Sequence, residues 1–113
     1  MINTVTLTGT AAGTITIAPT TGTLDVIVNL PAAGGTVTVA AAPTFARQRA
    51  EVDFKHGATA SIVTLNSGFA FGTAGGPTSY TAGTVANSID RLLLLSPDGT
   101  KWAVMAINQG FTV

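Results

Sequence analysis

Threonine alternates with β-branched and aliphatic residues in three separate segments of this chain: Thr4-Val5-Thr6-Leu7-Thr8, Thr14-Ile15-Thr16-Ile17 and Thr36-Val37-Thr38-Val39. A period of two sends the two residue types to opposite faces of an extended strand, and Thr and Val suit a pleated, half-buried surface. Residues 9–13, 19–22 and 31–35, rich in Gly, Pro and small side chains, separate these runs. Turn chemistry recurring at about 8 to 12 residues is the rhythm of a sandwich or barrel. The expected fold is therefore all-β, an antiparallel β-sandwich or barrel-like arrangement of jelly-roll type with about eight to nine short strands.

Further strands are expected over 24–30, 47–56, 61–65, 90–95 and 100–108, with a short last one at 111–113. Residues 69–80 read as a loop. Ser96-Pro97-Asp98-Gly99 is the clearest hairpin turn, because Pro presets φ at the first central position and Gly accepts positive φ. No stretch sustains a helical period. No segment recurs at a fixed spacing, so a repeat array is not predicted. The 113 residues are expected to form one β domain.

Charge is scarce. The chain has five Lys or Arg and five Asp or Glu, 9% of its residues, against about 25% in an average soluble domain. Half of these charges alternate along one segment, Arg47, Arg49, Glu51, Asp53 and Lys55, which a strand would align on one face, with Ala50, Val52 and Phe54 on the other. A surface otherwise made of Thr, Ser, Ala, Gly and apolar groups suits burial against other subunits. Arg47 and Arg49 are expected to pair with Glu51 or Asp53 of a neighbouring subunit.

Composition and spacing argue against several functions. Net charge is zero, with no basic patch for nucleic acid. Without cysteine there are no disulfides, thiol nucleophiles or cysteine-based zinc sites. No apolar run is long enough to span a membrane, and residues 1–4 do not open a secretory signal. His56, the single histidine, falls on the face opposite Asp53, and no serine lies in a nucleophile elbow. Glu51 and Asp53 share a face, but Arg49 and Lys55 beside them would disfavour the protonated acid that glycoside hydrolysis needs. No metal or cofactor is expected, and the glycines of 72–76 lack the Lys and helix of a phosphate loop. Tyr80 and Trp102 are the candidates for stacking on a sugar.

The order of several short motifs then carries a resemblance. Phe69-Ala70-Phe71-Gly72, Gly76-Pro77-Thr78, Thr81-Ala82-Gly83, Ile89-Asp90-Arg91-Leu92 and Pro97-Asp98-Gly99-Thr100-Lys101-Trp102 together resemble a β module of tailed-bacteriophage virion proteins, found in capsid decoration proteins, head fibres and tail fibres. The resemblance covers roughly residues 36 to 108, and the small Ala103 after Trp102 departs from its ending. It implies a structural role and a homotrimer.

The expected function is that of a non-enzymatic capsid decoration protein, made in the host cytoplasm, that binds the major capsid protein on the virion surface and stabilises the head. Residues 1–17 are the candidate segment for adding a strand to a neighbour, with Thr4, Val5, Thr6 and Leu7 at its centre. The competing expectation is a tail fibre or receptor-binding module that recognises a host glycan through Tyr80, Trp102 and the loop at 72–76.

Overall fold

The computed structural model describes residues 2–72, 77 and 79–112. Nine strands and no helix are found among them: β1 (Ile2–Thr8), β2 (Gly13–Ile17), β3 (Thr23–Asn29), β4 (Gly35–Ala41), β5 (Arg49–Lys55), β6 (Ser61–Leu65), β7 (Phe69–Ala70), β8 (Ser88–Leu95) and β9 (Trp102–Thr112). The all-β class and the strand number are as the alternation required. Two sheets form, a six-stranded one in the order β1-β3-β5-β8-β9-β7 and a three-stranded one in the order β2-β4-β6.

Strand direction differs from the antiparallel expectation. Through β1 to β6 the chain switches sheet at every strand, so strands of like direction stack and all four pairs, β1 with β3, β3 with β5, β2 with β4 and β4 with β6, are parallel. Three successive windings result. Only β5 with β8 and β8 with β9 are antiparallel. Partner residues are not evenly spaced: Ile2 lies beside Thr23 and Leu24 beside Ala50, Gly13 beside Val37 and Gly35 beside Ser61. The unequal turns between strands absorb the difference, which is why the winding leaves no fixed period in the sequence.

Alternation decides what fills the interior. From β3 come Leu24, Val26 and Val28, from β5 Ala50, Val52 and Phe54, and from β4 Val37 and Val39, all buried. Leu92, Leu94, Trp102 and Val104 of the terminal hairpin complete the same cluster. The hairpin turn is built as expected: Gly99 has φ 87°, its N–H donates to Ser96 Oγ at 2.9 Å, and Asp98 accepts from the Thr100 amide and hydroxyl. These bonds hold the exposed Asp98 carboxyl below its usual pKa.

Three boundaries move. Arg47 is not part of β5: its φ of 68° breaks the extended run, while its N–H donates to Ser96 O. Phe111 continues β9 past the positive φ of Gly110 instead of opening a separate strand. Phe69 and Ala70, read as loop, pair in parallel with Trp102 and Ala103.

Candidate functional site

The outer face of the six-stranded sheet gathers most of the charge of the molecule. Directly opposed residues form rows across it: Thr4, Asp25, Glu51, Leu93 and Ala106 in one, Thr6, Ile27, Asp53, Arg91 and Asn108 in the next. Arg49 opposes Leu95, and Lys55 opposes Ile89, which opposes Phe111. Six of the ten charges therefore share this face: Asp25, Arg49, Glu51, Asp53, Lys55 and Arg91. Their signs balance. Between them lie the half-buried Ile27, Ile89, Leu93 and Leu95 and the exposed Ile2 and Phe111.

Sequence reasoning identified the β5 part of this face and missed Asp25 and Arg91, which only strand pairing brings beside it. Arg91 holds Asp53 with two bonds, Nε to Oδ1 at 2.7 Å and Nη2 to Oδ2 at 2.9 Å. Hydrogen bonding to Asp53, and then its charge, push the Arg91 pKa further up. Within the chain the Asp53 carboxylate is thus already engaged by Arg91. Arg47 leaves the stripe altogether. Among the described residues Arg49 and Glu51 have no ion-pair partner, and with Ile2, Asp25 and Leu93 they line a shallow cavity of about 400 Å³.

The N-terminal segment is not a detached arm. All seven residues of β1 pair with β3, with Thr4 and Thr6 exposed and Val5 and Leu7 half-buried against the core. Among the described residues its other edge has no neighbour in the sheet, and β2 likewise ends the three-stranded sheet.

Inside the fold, a polar cluster joins elements far apart in sequence. Asp90, fully buried, accepts from the Tyr80 hydroxyl at 2.8 Å, the Gly83 amide at 2.7 Å and the Gly110 amide at 3.1 Å. Gly83 has to be this small, since a Cβ there would lie 2.9 Å from Asp90 Oδ1. His56, also buried, accepts the Ser61 amide at Nδ1, 3.0 Å away, which places its proton on Nε2, 3.7 Å from Asp90 Oδ2. Nδ1 is thereby engaged, while Nε2 is buried facing Asp90 without a hydrogen-bond partner among the described residues. Burial first, then the charge and hydrogen bond of Asp90, raise the Tyr80 phenol above its ordinary pKa.

The two aromatic candidates for sugar stacking are used by the fold. Trp102 is 1% exposed, and Tyr80 stacks on Phe54 with ring centroids 5.9 Å apart while its hydroxyl serves Asp90. Trp102 therefore presents no ring face to a ligand, whereas the half-buried Tyr80 also lines, with Phe71 and Ser79, a shallow cavity of about 270 Å³. The loop positions 73–76 lie outside the described residues. Among the described residues no three His, Cys, Asp or Glu side chains group as a metal-ligand set.

No protein-family model, curated protein or solved structure matches this chain.

Proposed function

We propose that this protein is a structural virion component, a capsid decoration protein that assembles as a homotrimer on the major capsid lattice and stabilises the head. One observation carries the reading: the outer face of the six-stranded sheet combines balanced, partly unpaired charges with uncovered aliphatic side chains. Such a face is too apolar for solvent alone and too charged for a core, which suits a subunit interface with a polar register. Stabilisation of the head follows by mass action, because a protein that binds only the assembled shell draws the equilibrium towards it.

Immunogold electron microscopy on phage particles tests the reading, with antibody raised against the recombinant chain. Label spread over the heads is the expected result. Label confined to tails overturns decoration and favours an adhesion role. Deleting residues 2–10 is a poor test of capsid anchoring, since it would strip β1 from β3. Charge placed at the exposed Thr4 and Thr6 leaves the pairing of β1 with β3 intact and is the better probe.

A further inference from the structure

The two ends of the winding are built differently. At the far end the third winding is closed by the chain itself: β8 pairs with the outer edge of β5, and residues 79–84 lie alongside β6, sharing cavities of about 380 and 270 Å³ with it. At the near end β1 and β2 finish their two sheets, with no strand beyond either edge among the described residues. Natural edge strands are usually blunted by a charge, a proline or a bulge, because bare backbone groups recruit another strand. None of these protects β1 or β2. Residues 1–24 contain no charged side chain, β1 pairs with β3 without a register break, and Val5, Leu7 and Ile15 are only half-buried at the margin of the core.

We infer that this bare end is the docking surface for a second copy of the same end, related by a two-fold axis normal to the sheets, with β1 pairing antiparallel to β1 and β2 to β2. The inference deepens the strand-adding role proposed for residues 1–17 and rests on it for the edge, though not for a virion location. Three observations select this occupant. The far end cannot receive the near end on both sheets at once, because the six-stranded sheet continues three strands past β5 whereas the other stops at β6. Two-fold pairing brings each strand against its own copy, where like charges at opposed or neighbouring positions would repel, and these strands carry none. Antiparallel pairing centred on Val5 also keeps the pleat in phase, with Val5 opposite its copy on the core side and Thr4 opposite Thr6 of the second copy outside. The half-buried residues of both copies then close one continuous core. The contact turns a lone protomer into a dimer and joins together copies of any oligomer formed through the outer face.

The test compares solution mass by light scattering for the wild-type chain and for Thr4→Lys with Thr6→Lys, both exposed positions. A drop in mass by a factor of two or more with an unchanged circular dichroism spectrum is expected. Equal masses would overturn the inference. Should the lysine variant fail to fold, Val5→Cys decides, since the protein has no other cysteine and directly opposed residues lie within disulfide reach. Under mild oxidation it is expected to give a covalent dimer that Ile62→Cys, placed at an exposed site on β6, does not. Equal crosslinking of the two variants, or none, overturns it. Decoration would survive that failure, because immunogold labelling reads location and not mass.

Discussion

The Tyr80 hydroxyl donates to the buried Asp90 carboxylate at 2.8 Å, and this bond ties the segment preceding β8 to the interior of the sheet. Asp90 also receives amides from Gly83 and Gly110, so one carboxylate fixes the Tyr80–Gly83 segment and the end of β9. Asp90→Asn turns one acceptor into a donor facing donors. It is expected to destabilise the protein by on the order of 3 kcal/mol, measured by urea unfolding. Tyr80→Phe keeps the stack on Phe54 and should lose roughly 1 kcal/mol. The two losses should not add, since both remove the same bond.

Alkaline stability should report Tyr80 directly. Its pKa is raised in the folded protein, so above the unfolded value of about 10 the unfolded chain releases a proton that the native one keeps. The native state then binds more protons, and stability falls as pH rises past that point. Below it the contribution is constant. The limiting slope is roughly 1.4 kcal/mol per pH unit. Because this is the one tyrosine in the chain, tyrosinate absorbance measures its ionisation without overlap. In Tyr80→Phe the tyrosine part of the slope is expected to vanish.

Gln48 is a second buried anchor. Its Oε1 accepts from the Thr44 amide at 2.8 Å, while its Nε2 donates to the carbonyls of Thr20 and Gly22 at 3.0 and 2.8 Å. Gln48→Ala would strand these partners, and a loss of about 2 to 3 kcal/mol is expected from thermal unfolding. Gln48→Glu sets a carboxylate oxygen against both carbonyls in a buried site, so it should be at least as destabilising as the alanine variant.

The Asp53–Arg91 pair should matter little to folding. Its side chains are 18% and 45% exposed, and solvent screens such a pair. Arg91→Ala is expected to cost less than about 1 kcal/mol, with the difference shrinking in high salt. A larger, salt-insensitive loss would mean that this face is covered in the protein as measured.

The parts of the fold that were legible in the sequence are those set by neighbours in the chain. Alternation gave β1, β2, β4 and β5 and the inward set of Val52 and Phe54, and the Pro97-Asp98-Gly99 turn placed the last hairpin. The break at Arg47 was not visible, because the residue with the positive φ is held beside Ser96, just past β8, which accepts from the Arg47 amide and donates to the Gln48 carbonyl, a contact far away in the chain. Asp90 read as an ordinary residue of a strand. Its partners are 10 and 20 positions away at Tyr80 and Gly110, and nothing local announces such a gathering.

What the sequence determined by itself is the face each residue takes: a period of two is a property of the extended backbone and needs no partner. It also set the scarcity of charge, and with it an N-terminal edge that carries no electrostatic protection. Which strands became neighbours was decided only in three dimensions. Parallel pairing through β1 to β6 depends on every turn crossing between sheets, and that is settled by burying both inward faces in one core, an energy summed over residues far apart in the chain. The same long-range closure brought Asp25 and Arg91 to the charged face and His56, Tyr80 and Asp90 to one buried cluster.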